Sequence, residues 1–222
     1  MSVVIAYSDA HRGITANYNK LELLCEYIEM FKPDVVVGVG DNYELVWRDW
    51  QQINSWKDSV DSIERAKEAA RKTSWIELAG NHNINLYDYR QELLPIRVHK
   101  GDKIVIDGVT YTHGHQYDAT IKFWWKPLQT IFKYVIPSLY NKIFGTPYCV
   151  KESGNDTNYS ELVAMIESRV QTAYRGSPVV FGHTHSEFIK YRKSTFMANC
   201  GDFIDSCSIV VVSYGKPELI WI

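Results

Sequence analysis

The sequence predicts an α/β fold: two mixed β-sheets packed face to face between layers of helix, a four-layer αββα sandwich with a helical lid insertion. Three observations lead there. In the first half, short β-branched apolar runs alternate with stretches of helical periodicity, as parallel strands joined by crossover helices require. Toward the end, short strands follow one another through tight turns, as hairpins do. Polar motifs rich in Asp, His and Asn close the apolar runs at their carboxyl ends, where open α/β sheets gather ligands.

The elements follow in order. Val3 to Tyr7 is a buried strand ending at Ser8-Asp9. Leu21, Leu24, Cys25, Ile28 and Phe31 keep helical spacing until Pro33, and Val35 to Val39 is a second β-branched strand delivering Gly40-Asp41. Asp58 to Lys72 reads as a polar helix, and Trp75 to Ala79 as a strand closing on Gly80-Asn81-His82. Lys103 to Ile106 and Val109 to Thr112 flank Asp107-Gly108, a two-residue hairpin signal, and the second of them runs into His113-Gly114-His115. Val179 to Phe181 leads to Gly182-His183-Thr184-His185. Phe188 to Tyr191, Thr195 to Ala198, Ser208 to Ser213 and Glu218 to Trp221 complete the strands, the last pair turning at Tyr214-Gly215.

With 222 residues and 45% hydrophobic content, one domain can bury a full core, so the expectation is a single domain over 1–222 with an insertion at about 116–160. A formal charge of −2 gives no bulk case for nucleic acid. No apolar run reaches the ~18 residues of a membrane span, and the first residues read as a strand instead of a signal peptide. A cytoplasmic protein is expected. Cys25, Cys149, Cys200 and Cys207 form no Cys-x-x-Cys pair and read as reduced thiols.

Six of the seven histidines fall in the strand-end motifs; only His99 lacks an evident chemical role. A lone Asp9 would more often cap a helix, and a lone His11 would sit at the surface. Together after a buried strand they suggest chemistry. Two divalent ions held roughly 3.5–4 Å apart need a bridging ligand, which a carboxylate can supply and an imidazole cannot. Asp41, alone between glycine-rich backbone and an apolar strand, is the bridge candidate. Imidazole and carboxamide donors suit manganese, iron, cobalt, nickel or zinc better than calcium or magnesium. His183 and His185 would face apart in an extended strand, so a shared site needs a bend, which Gly182 permits.

Five blocks, Asp9-x-His11, Gly40-Asp41, Gly80-Asn81-His82, His113-Gly114 and Gly182-His183-x-His185, resemble in kind and order those of the calcineurin-like metallophosphoesterases. The resemblance implies a first metal held by Asp9, His11, Asp41 and His185. It implies a second, held by Asp41, Asn81, His113 and His183. Manganese is the first expectation for this pair. A metal-bridging hydroxide would attack phosphorus in line, and His82 would stabilise the transition-state charge or protonate the leaving group.

Gly40 to Trp47, His113 to Asp118 and Asn199 to Cys207 are similar to the branch related to UDP-2,3-diacylglucosamine pyrophosphatase. That likeness implies a pyrophosphatase or phosphoesterase for a lipid-linked or other phosphorylated substrate. Two positions depart from the pattern. Asn83 stands where the Gly-Asn-His block continues with a carboxylate that could orient His82, and His115 stands where the branch carries Asp. His115 is then a candidate for phosphate contact, with Arg12 and Arg48 beside the ligand motifs.

Between Gln116 and Lys151, five lysines interleave with nine aromatic residues, among them Trp124 and Trp125. Two short helices broken at Pro137 are expected. The stripe either packs on the sheets or forms a lid that holds an apolar substrate moiety and rests on a membrane surface, with Trp124 and Trp125 at the interface. Two rivals stand beside the lipid-directed enzyme. One is a nucleotide phosphodiesterase or phosphomonoesterase; the other is a metal-binding scaffold of the same fold with weak catalysis.

Overall fold

A computed structural model describes residues 1–13, 17–46, 48–119 and 157–222. Strand β1 (Val4–Tyr7) is buried along its whole length. Helix α1 (Tyr18–Phe31) begins at Asn17, whose side chain accepts from the Lys20 amide. It ends where Lys32 turns left-handed and donates its amide to the Ile28 carbonyl at 2.8 Å. Pro33 then bars continuation. Next come β2 (Val35–Gly38), the single turn α2 (Trp50–Ile53) with reciprocal capping by Asp49 and Gln52, and α3 (Lys57–Ala70). β3 (Ser74–Glu77), β4 (Arg97–Val98), β5 (Lys103–Ile106) and β6 (Val109–Thr112) follow, then α4 (Thr157–Ala173). The chain closes with β7 (Val179–Phe181), β8 (Phe188–Arg192), β9 (Thr195–Asn199), β10 (Ser208–Ser213) and β11 (Lys216–Trp221).

Two mixed sheets result, ordered β11-β10-β1-β2-β3-β4 and β5-β6-β7-β9-β8. β1, β2, β3 and β4 are mutually parallel, while β10 runs antiparallel to β1. In the second sheet β7 lies parallel to both β6 and β9. Of three two-residue hairpins among the described residues, two have both central residues left-handed, Asp107 with Gly108 and Tyr214 with Gly215, the geometry that matches strand twist, while in the third only Lys193 is left-handed.

Alternation along β1 sets the layers. Ile5 and Tyr7, with Val36 and Trp75, pack against Leu21, Leu24 and Ile28 of α1 and Ile63, Ala66 and Ala69 of α3. Val4, Ala6 and Val37 face the other way, onto Tyr111, Val180 and Ala198 of the second sheet. Ile166 and Val170 of α4 cover Val179, Phe181 and Met197 on that sheet's outer side. Among the described residues this is the expected order of helix, sheet, sheet, helix.

The division into sheets does not follow the two halves of the chain. β10 is largely buried and apolar, so it occupies an interior position beside β1 and takes β11 with it into the first sheet. α2 and β4 carried no sequence signal, being too short to show a period. Residues 120–156, the greater part of the expected lid with Trp124 and Trp125, lie outside the described residues, as does Cys149. Cys25, Cys200 and Cys207 are free, buried thiols. Among the described residues no helix is long and apolar enough to cross a membrane.

Candidate metal centre

The carboxyl ends of five strands meet at one rim. Asp9 and His11 follow β1, Asp41 follows β2, Asn81 and His82 follow β3, His113 and His115 follow β6, and His183 and His185 follow β7. Backbone bonds knit the loops together. The Asp9 amide donates to the Gly40 carbonyl and the His11 amide to the Asp41 carbonyl, each at 3.0 Å, and Gly182 donates to the His113 carbonyl at 3.1 Å.

All seven residues expected as ligands come together there. Asp9, His11 and His185 present donor atoms within 4.8 Å of one another, as do Asp41, His113 and His183. His113 joins the groups, its Nε2 lying 2.9 Å from Asp41 Oδ2, 3.2 Å from Asn81 Oδ1 and 4.0 Å from Asp9 Oδ1. Asp9 and Asp41 are buried, and among the described residues their ion-pair partners are all histidines. Burial opposes their charge, yet His113 and His185 hold Asp9, and His113 and His82 hold Asp41, below the usual carboxylate range.

The backbone here is costly. Asp9, His11, Asp41, His183 and His185 all hold φ between 45° and 71°, a region that side-chain-bearing residues rarely adopt. The bend separating His183 from His185 thus sits on the histidines themselves. Gly182 is required for another reason: a Cβ there would lie 2.1 Å from Ser8 Oγ and 2.6 Å from Asp9 Oδ2. A Cβ on Gly80 would lie 2.2 Å from Asp41 Oδ1, and one on Gly40 would lie 2.5 Å from His113 Cγ. The motif glycines are therefore empty space reserved for ligands.

Three of the candidate ligand imidazoles are held from behind at Nδ1. His113 Nδ1 donates to the Val39 carbonyl at 3.0 Å, His185 Nδ1 to Asp202 Oδ2 at 3.1 Å and His11 Nδ1 to Glu44 Oε2 at 2.9 Å. Asp202 also accepts the amides of Ile204, Asp205 and Ser206, so it fixes its own loop and the His185 ring together. Asn199 donates to the Gly182 carbonyl and to Thr184 Oγ1, bracing the last ligand loop.

Glu44, only a weak candidate from the sequence, organises two of the rings. Its buried carboxylate accepts from His82 Nδ1 at 2.9–3.0 Å as well as from His11, so it supplies the partner that Asn83 does not. Burial opposes protonation of His82, but Glu44 and then Asp41 raise its pKa to about 9. Asn83 has a different task, its Oδ1 accepting the Gly80 amide and closing the loop. The sign available in the sequence was a carboxylate three residues beyond Asp41, on the same loop. Asp118, whose Oδ2 lies 3.2 Å from His183 Nε2, was missed by motif reading.

Among the expected substrate contacts, Arg12 is corrected. It is fully buried, its Cζ 5.3 Å from the Tyr43 ring and its Nε donating to Ser62 Oγ at 3.1 Å, so it belongs to the core beneath the rim. Arg48 stacks over Trp56 at 5.0 Å. His115 lies beside the ligands, 5.5 Å from the His113 ring and 6.4 Å from the His183 ring. Trp124 and Trp125 fall outside the described residues.

The donor set suits a divalent metal: buried carboxylates without Lys or Arg partners among the described residues, imidazoles held from behind, and glycine clearance around both aspartates. Fold and site together define a metal-dependent phosphoester hydrolase. Residues 2–187 match the calcineurin-like phosphoesterase family, and the chain belongs to it. An archaeal phosphodiesterase shares the fold at 14% identity over 99% of each chain, with a TM-score of 0.52. A phosphoesterase from E. coli is similar at 14% identity over 99% of each chain, with a TM-score of 0.49. No curated protein matches the chain in sequence.

Proposed function

We propose that the protein is a dinuclear phosphoesterase or pyrophosphatase, with manganese as the working metal. The observation that supports this most is the pair of donor groups, which come together where His113 Nε2, 2.9 Å from Asp41 Oδ2, lies 4.0 Å from Asp9 Oδ1. Asp9, His11 and His185 would hold one ion and Asn81, His113 and His183 the other, with Asp41 shared. When bound, the two ions supply an activated water for in-line attack and clamp the displaced oxygens. His82, held by Glu44 and partly open to solvent, stabilises charge on the phosphoryl group or donates a proton to the leaving oxygen. His115, beside the proposed ligands, would contact a phosphate oxygen. The basic aromatic segment from Gln116 to Lys151 favours an amphipathic substrate, such as a nucleotide diphosphate carrying a lipid, and a peripheral membrane contact.

The test is turnover with added Mn²⁺ of bis-p-nitrophenyl phosphate, p-nitrophenyl phosphate and a nucleotide-diphospho-lipid. The diphospho-lipid should be the preferred substrate, and Asp41→Asn should abolish turnover of all three. No turnover of any substrate by protein with metal confirmed bound would remove the enzyme reading. Turnover of the small esters alone would remove only the lipid-linked one.

A further inference from the structure

We propose that Asp118 is a positioning residue that decides which nitrogen His183 offers to a metal, and that α4 holds Asp118 in place; this rests on the dinuclear reading above. A ligand histidine gives one nitrogen to the ion, while a hydrogen bond at the other sets the tautomer and the plane of the ring. His11, His113 and His185 are all held at Nδ1, by Glu44, the Val39 carbonyl and Asp202, and His113 and His185 turn Nε2 toward Asp41 and Asp9 of the proposed ligand set. His183 is held the opposite way, at Nε2. Nδ1 is therefore the nitrogen it has for the group it forms with Asp41 and His113.

The tether is itself well anchored. Asp118 is 4% exposed, and its amide donates to the His115 carbonyl at 3.0 Å, closing the short turn His115–Tyr117. Arg169 of α4 donates from Nη1 to the Tyr117 carbonyl at 3.0 Å, and the hydroxyls of Tyr117 and Tyr174 lie 3.1 Å apart. Tyr117 packs with Ile166 and Phe181 against the outer face of the second sheet. A continuous path of direct contacts thus runs from α4 through Tyr117 and Asp118 to His183. Without the carboxylate, the ring can rotate or change tautomer, and His183 no longer offers Nδ1 in a fixed direction.

Manganese titration of the full-length protein, followed by electron paramagnetic resonance, tests this. Asp118→Ala should weaken one of two manganese sites by about 10–100-fold and leave the other unchanged, with kcat largely restored at saturating metal. Asp118→Asn, whose carboxamide oxygen still accepts from Nε2, should recover most of that loss. Arg169→Met should weaken the same site by less. If Asp118→Ala binds both ions as the wild type does while His183→Ala loses one, Asp118 does not position the ligand. If His183→Ala also keeps both ions, the dinuclear ligand set itself is wrong. Where the alanine variant fails to fold, histidine NMR of the zinc-loaded wild type decides: coordination of His183 through Nδ1 supports the proposal, and coordination through Nε2 overturns it.

Discussion

Glu44 shows how much one side chain can organise. It reaches two imidazoles at once, His11 among the ligands and His82 beside them, and it is fully buried. The two rings share Oε2, so a glutamine oxygen placed there still reaches both, but its amide group then faces His82 Nδ1 in place of Oε1 and the negative charge between the rings is gone. Glu44→Gln should therefore lower kcat at saturating metal by about 10–100-fold while the protein stays folded. A kcat within about twofold of wild type would show that neither ring depends on this carboxylate. The seven candidate ligands were legible in the sequence because each lies in a short block with fixed neighbours. Glu44 and Asp118 were not, because their role lies in distances across loops, which spacing along a chain does not report. Arg12 misled for the converse reason: a charged residue next to a ligand suggested the rim, whereas the aromatic rings of Tyr7 and Tyr43 hold it in the core.

Strands were legible where short apolar runs end in turn or motif residues, and helices where they were long enough to show a period. β5, β6, β7 and β10 have the expected limits, whereas α2 and β4 gave no sign. The placement of β10 and β11 in the first sheet depends on burial on both faces, a property of the assembled molecule. Between the elements lies a buried polar network. Glu77 at the end of β3 accepts from Tyr7 Oη at 2.5 Å, Trp75 Nε1 at 3.0 Å and Asn42 Nδ2 at 2.8 Å, and Asn42 Oδ1 accepts the Ala10 amide at 3.3 Å. Burial holds the Glu77 carboxyl above its usual pKa, and the Arg12 guanidinium offsets only part of that. Arg12→Met should cost about 1–3 kcal/mol, because the Ser62 hydroxyl and the Asn42 carbonyl lose a donor. Chemical denaturation measures this. A stable variant with a raised KM would instead return Arg12 to the substrate.

At the scale of the whole molecule, protons and metal compete for the same rings. The folded-state pKa values of His82 and His185 are raised to about 9 and about 10, against burial, by Glu44 and by Asp9 respectively. A raised imidazole pKa contributes stability that is fully present below the unfolded value of about 6.5 and is lost as pH rises through the folded value. The metal-free protein should accordingly lose thermal stability between about pH 6.5 and about pH 10. Ligation needs His113 and His185 unprotonated, so stabilisation by added manganese should grow over the same window. Melting curves with and without metal at about pH 6 and about pH 8 would show it, and a manganese shift that shrinks with pH would contradict it.

The pairing of β1 with β10 has a consequence in time. Val4 aligns with Val212, the Phe203 amide donates to the Asp9 carbonyl, and Asp202 holds His185. At roughly 5–20 residues per second of synthesis, the first strand waits on the order of ten seconds or more for its partner. During that wait its hydrogen-bonding edge is open and Asp9 lacks one of its supports. The nascent chain can assemble the parallel strands early, but the centre is completed only after the tenth strand has been made, so metal capture comes late in the protein's own biogenesis.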